Sequence, residues 1–181
     1  MKVTIRDITE ENLGDIPRPC RGCLYWELPE DFEKLRQQKK PQLAEEKKKE
    51  WFTKTLREFG NCGKIVYRDK MPIGYAQYAP VSHLPQARSY KSGRPERIED
   101  RTVFISCLYI SEEEDRGKGI GMKLLNTVVM ALRNRGFKAV ETFARRGSAN
   151  NPSGPIELYL KKDFKIKDET DPEFPLVRRE F

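Results

Sequence analysis

Apolar residues recur along this chain with two distinct periods, and the switches between them outline its elements. Residues 2–8 alternate apolar and polar with a period of two, which predicts a strand. Thr9 and Asn12 supply a cap for a short helix, and an irregular stretch, 17–26, follows. Two strongly charged segments come next, split by Pro41. In the second, Phe52, Leu56 and Phe59 share one helical face, and Gly60 ends the helix. Residues 64–68 and 73–79 read as a hairpin joined by the turn 69–72. Residues 103–110 are almost all apolar, the pattern of a strand buried on both faces. From Gly119 to Arg135 the apolar positions return to a helical stripe, Ile120, Leu124, Leu125, Val128, Val129 and Leu132, stopped by Gly136. A strand at 138–143, a loop at 150–155, and a helix opened by Pro155 and running past Tyr159 to about Lys162 come next. Strands near 164–167 and 176–179 close the chain.

The order β-α-α-β-β-β-α-β-α-β-β implies an α/β (α+β) mixed sheet with helices on both faces. No repeat or linker interrupts it, so residues 1–181 read as a single domain. One stretch, Ser82 to Arg97, is rich in Pro, Gly, Ser and Arg without periodicity. It reads as a long loop with freedom to move, the kind that more often serves function than structure.

Charge narrows the partners. The net charge is +7, from 35 basic and 28 acidic residues. The two signs are mixed, as in Glu45 to Glu50, which marks a solvated helix face rather than a nucleic-acid footprint. No apolar run is long enough for a membrane span, and the first residues alternate where a signal peptide would be continuously apolar. A cytoplasmic protein with reduced thiols is the expectation for its four cysteines. Neither a nucleic-acid nor a membrane partner is expected.

The chemistry concentrates at Arg116-Gly117-Lys118-Gly119-Ile120-Gly121, between the buried strand and the amphipathic helix. Glycines let the backbone turn and approach a ligand, and the helix start offers unpaired N–H groups with a positive dipole end. That combination suits a pyrophosphate, with Arg116 and Lys118 adding charge. A P-loop spacing is absent. A dinucleotide-binding turn would carry a third glycine at Leu124 and would follow its strand directly, whereas residues 111–115 intervene. Glu141 does lie where a ribose-binding acid would.

Arg116, Gly119 and Gly121 also match the acetyl-CoA motif Arg/Gln-x-x-Gly-x-Gly/Ala. With Leu108 and Ile110 on the preceding strand, and Tyr159 five residues before Phe164, the chain resembles the GNAT family of N-acetyltransferases from residue 2 to its end. The resemblance implies a mixed, mostly antiparallel central sheet with helices on both faces. It implies an acetyl-CoA site formed by Leu108, Tyr109, Ile110, Arg116, Gly117, Lys118, Gly119, Ile120, Gly121 and Met122, with Asn151 and Ser153 from the later loop. Tyr159 is the implied catalytic acid, an amine on a small molecule or a protein is the acceptor, and a homodimer is possible. Two departures stand out: Asp163 replaces a glycine, and the acidic link Glu112–Asp115 is one residue longer than usual.

Other residues carry weaker signals. Cys20-x-x-Cys23 is half a zinc pattern, with only Cys62 and His83 to complete it, so packing is expected and no metal. Tyr25, Trp26, Tyr75 and Tyr78 are either an acceptor wall or core. Cys107 lies mid-strand without a histidine partner and reads as a packed thiol. Glu112 and Glu141 are positional candidates for a general base. Two rivals to the acetyltransferase remain: a non-catalytic acyl-CoA-binding module and a dinucleotide-binding oxidoreductase domain.

Overall fold

A computed structural model describes residues 2–93, 101–147 and 153–181. Strands β1 (Val3–Asp7), β2 (Gly63–Arg68), β3 (Met71–Ala79), β4 (Thr102–Ile110), β5 (Ala139–Phe143), β6 (Lys165–Asp168) and β7 (Leu176–Glu180) form one sheet in the order β1-β2-β3-β4-β5-β7-β6. Neighbours are antiparallel except β4 and β5, which are parallel. Helices α1 (Pro29–Gln37) and α2 (Pro41–Glu58) cover one face, and α3 (Ile120–Asn134) and α4 (Ile156–Leu160) the other. Trp51 and Phe52 of α2 meet Tyr75 and Phe104 of the sheet, while the α3 stripe meets Val103, Ile105 and Val140. α1 packs on α2 through Leu35 and Ala44.

Two irregularities in β4 shape the molecule. Opposite β3, Gln77 pairs with Cys107 but Tyr78 pairs with Ile105, so Ser106 is a bulge. Its hydroxyl donates to Gln77 O at 3.2 Å. The extra residue flips the alternation. Phe104, Cys107 and Tyr109 face α2, whereas Val103, Ile105, Leu108 and Ile110 face α3. On its other edge β4 pairs with β5 only from Thr102 to Phe104. Beyond that point the strands part, and among the described residues no strand pairs with this edge from Cys107 to Ile110.

The stretch from Ser82 to Gly93 is not the open loop expected of its composition. Two 3₁₀ turns, Val81–His83 and Pro85–Ser89, run through it. Val81, Leu84, Ala87 and Tyr90 recur every three residues, the period at which side chains of a 3₁₀ turn eclipse, and they enter the core. A period of three looks aperiodic against templates of 2 and 3.6. Tyr90 stacks at 5.3 Å from Trp26 and 4.4 Å from Phe143, ring centre to ring centre. Residues 94–97 of that predicted loop lie outside the described residues. Asp163 does take the conformation of the glycine it replaces, with φ of 62°, one that aspartate tolerates better than most residues.

Candidate active site

The parting of β4 and β5 opens a groove of about 380 Å³ on the α3 side. Leu108, Tyr109 and Ile110 form one wall, the 115–122 turn the end, and Gly154, Pro155, Leu158 and Lys161 the other wall. The turn is built by glycine where geometry demands it. Gly117 and Gly119 have φ of 74° and 79°, and Gly119 is the N-cap of α3. The first main-chain bond of the helix is donated by Lys123 to Gly119 O, which leaves the N–H groups of Ile120, Gly121 and Met122 without helical acceptors. A Cβ built on Gly117, Gly119 or Gly121 meets no atom within 4 Å, so the turn presents bare backbone. This is the surface a pyrophosphate requires.

Arg116 does something the sequence did not reveal. Its Nε donates to Ile110 O at 3.0 Å and its Nη2 to Ser111 O at 3.3 Å, and its guanidinium lies 5.6 Å from the Tyr109 ring centre. It ties the turn to the end of β4 while still lining the groove. Lys118 is exposed beside it. The Ile120 side chain points into the core, so only its backbone faces outward. Asp115, also in the groove wall, is neutralised by Arg68 at 2.8 Å.

A second pocket, about 310 Å³, opens on the α2 side of the same parting. Tyr25, Trp26, Phe32, Tyr90 and Phe174 line it together with Cys20, Cys23, Cys107, Lys48 and Ser153. The two cavities are back to back. Cys107 lines one and its neighbour Leu108 the other; Ser153 lines one and Gly154 the other.

The floor of the second pocket is a buried polar network. Lys48 Nζ donates to Cys23 O at 2.7 Å, to Gln77 Oε1 at 2.7 Å and to the Glu27 carboxylate. The Tyr75 hydroxyl also donates to Gln77. Burial alone would lower the Lys48 pKa, but Glu27 prevails and holds it above the usual lysine range. Removing one member of such a pair strands the other charge. Lys48→Met should therefore destabilise the fold by about 3–5 kcal/mol, a fall in Tm of roughly 6–20 °C. Adding Glu27→Leu should recover much of it. Thermal melts of the wild type and the two variants check this; a Lys48→Met protein as stable as wild type would mean that the network contributes nothing.

A model of the acetyltransferase (GNAT) family matches residues 23–164. The chain belongs to the GNAT acetyltransferase family. It is thereby an acyltransferase with acetyl-CoA as its donor. Solved acetyltransferases share its fold. One is the PaiA N-acetyltransferase of Thermoplasma acidophilum, solved with coenzyme A, at 17% identity and TM-score 0.65 over 100% of both chains. Another is an N-acetyltransferase of Staphylococcus aureus Mu50, at 17% and 0.62 over 99% of each. A third is the ribosomal-protein-alanine N-acetyltransferase of Brucella melitensis, at 19% and 0.56, over 98% of this chain and 99% of that one. No curated protein matches the chain in sequence.

The remaining site residues of this GNAT acetyltransferase sort by location. Tyr159 is fully buried at the junction of the two cavities. Its hydroxyl donates to Ser153 O at 2.5 Å, and the Cβ position of Gly154 is 3.2 Å from it. It lies one atomic layer beneath the groove, whose lining passes from Leu158 to Lys161. Asn151 lies outside the described residues. Tyr75 and Tyr78 are fully buried beneath the sheet surface and do not form the pocket wall; Tyr25 and Trp26 do. Phe32, Tyr90 and Phe174 were not anticipated there, because nothing local to them shows that three distant segments converge.

Neither carboxylate considered as a base reaches the second pocket. Glu141 is buried against Arg178, Oε1 to Nη1 at 2.8 Å, which also removes it as a ribose ligand. Glu112 is exposed after β4. Among the described residues no group of three His, Cys, Asp or Glu side chains could hold a metal ion. Burial pushes the Cys20 thiol up to about 12 and raises those of Cys23 and Cys107, so all three are neutral thiols. No helix of the described residues is long and apolar enough to cross a membrane.

Proposed function

We propose that residues 1–181 form one N-acetyltransferase domain that passes acetyl from acetyl-CoA directly to a primary amine in a ternary complex. One observation carries this reading: the glycine-turn groove and the aromatic pocket lie back to back at the opening between β4 and β5, where adjacent residues, Cys107 and Leu108, line opposite cavities. Acetyl-CoA would lie with its pyrophosphate on the 117–122 backbone and its thioester at the opening. An unpaired N–H of Leu108 or Ile110 would polarise the carbonyl. The neutral amine attacks, a C–N bond forms, and the C–S bond breaks. The amine proton leaves to solvent through the pocket, the thiolate takes its proton from Tyr159, and the phenolate regains a proton from solvent once the products have left.

Acetyl-CoA turnover over a library of amines, followed as released thiol, tests the reading. Thermal stabilisation by acetyl-CoA with turnover on no amine would favour the non-catalytic acyl-CoA-binding module. Binding of NAD in place of CoA would favour the oxidoreductase domain. Charge should also register. Acetyl-CoA affinity should fall as salt rises, and Lys118→Ala should flatten that dependence. Arg116→Ala should weaken binding as well, chiefly by freeing the turn that it ties to β4. Titrations between about 0.05 and 0.5 M salt check both; salt-independent binding would remove the cations from the site.

A further inference from the structure

We infer that the acceptor is a primary monoamine with an aromatic or otherwise apolar body, held in the pocket on the α2 side; this rests on the acetyltransferase reading above. The rings of that pocket hold one another in place. Tyr25 meets Trp26 and Phe32 edge-on at 5.2 and 5.6 Å, Trp26 stacks on Tyr90 at 5.3 Å, and Phe174 meets Tyr90 edge-on at 5.6 Å. A wall ordered by its own packing binds a flat or greasy group without first paying to order itself. Ring faces also attract a single ammonium, which suits the one nitrogen that must enter, lose a proton and attack.

The charges of the pocket exclude other amines. Among the described lining residues there is no carboxylate, and Lys48 is the one cation. All three of its N–H donors are engaged, and Glu27 neutralises it. Among the described lining residues, the second ammonium of a diamine, or those of an aminoglycoside, would find no counter-ion. The carboxylate of an amino acid would find no uncommitted cation. The cysteines, kept neutral by burial, serve as small apolar surfaces. A polar handle is the pair of hydroxyls of Tyr25 and Tyr90, 3.0 Å apart. Only one proton lies between them, so the other can serve a polar atom on the acceptor.

The test uses the full chain and acetyl-CoA, with released thiol as the readout. The amines are phenethylamine, tryptamine, hexylamine, putrescine, spermidine and kanamycin. The aromatic amines should exceed putrescine, spermidine and kanamycin in kcat/KM by at least about a hundredfold, because each of these buries an unpaired charge. Phe32→Ala should raise KM for phenethylamine about five- to thirtyfold and leave the acetyl-CoA dissociation constant unchanged. Phe32→Glu, by placing a carboxylate at the rim, should raise kcat/KM for putrescine. Equal or better turnover of spermidine or kanamycin by the wild type would overturn the inference. So would failure to acetylate phenethylamine, tryptamine and hexylamine alike while acetyl-CoA still binds, and in that case the donor site stands. If acetyl-CoA does not bind at all, the acetyltransferase reading itself fails and the inference falls with it.

Discussion

Gly121→Val should abolish high-affinity acetyl-CoA binding while the protein keeps its fold. Gly121 lies in the first turn of α3 with an ordinary helical φ, and a Cβ there meets no atom within 4 Å. The fold therefore has no need of glycine at this position, and valine is slightly the better helix former. What the glycine leaves room for is a ligand on the bare N–H groups of Ile120, Gly121 and Met122. A β-branched side chain stands in that space. Loss of two charge-assisted hydrogen bonds, each about 1.5–3 kcal/mol, corresponds to at least about a hundredfold weaker binding. Calorimetric titration and a thermal melt of the same sample separate the effects. Unchanged affinity would mean that the turn is not the anion site; a large drop in Tm would mean that the glycine is structural after all. Gly119→Ala provides the contrast. At φ of 79° it should destabilise the fold by about 1–2 kcal/mol before any ligand is considered.

Tyr159→Phe should lower kcat by about a hundred- to ten-thousandfold, the usual worth of a general acid, with little change in acetyl-CoA affinity. The hydroxyl proton now rests on Ser153 O, just below the groove floor at Gly154, so delivering it to sulfur requires that bond to be exchanged. Burial holds the phenol well above the usual tyrosine range. The acid thus stays protonated wherever the enzyme works. The acceptor amine, with a pKa near 10.4 for a lysine-like group, must instead lose a proton. The kcat/KM profile of the wild type should therefore rise with pH, with no falling limb from Tyr159. Because the CoA thiolate resembles a cysteine thiolate, with a pKa of roughly 8.5, it can leave unaided in part, and the Phe variant should regain activity relative to wild type as pH rises. Full kcat at neutral pH on the best acceptor would reduce Tyr159 to a packing residue. The lost hydrogen bond should lower stability by only about 1 kcal/mol.

Much of this architecture was legible in the chain itself. Alternation drew β1 and the hairpin, the 3.6-residue stripe drew α3, and the unbroken apolar run identified β4 as the strand buried on both faces. Runs of this kind report their own surroundings, since each side chain meets neighbours set by local geometry. The glycine turn was legible for the same reason: left-handed backbone at Gly117 and Gly119 and an open helix start are local facts.

Tertiary structure decided the rest, wherever a residue's role depends on segments distant in sequence. Lys48 stands in a run of mixed charge that reads as solvated, yet it is 2% exposed, because Glu27 and Gln77 come to meet it from elsewhere. Tyr90 stands in a stretch without helical or strand period, yet it stacks between Trp26 and Phe143. Even Arg116, which reads as a phosphate ligand, turns back over five and six residues to the carbonyls of Ser111 and Ile110, a contact that the path of the turn decides and its residue types do not announce. The bulge at Ser106 leaves no mark in composition, though it turns Cys107 to one cavity and Leu108 to the other. By itself, then, the sequence determined the elements and the candidate anion site, whose physics is that of a single backbone turn. The aromatic pocket was decided only by the fold, because a cavity belongs to the space between elements and no one segment encodes it.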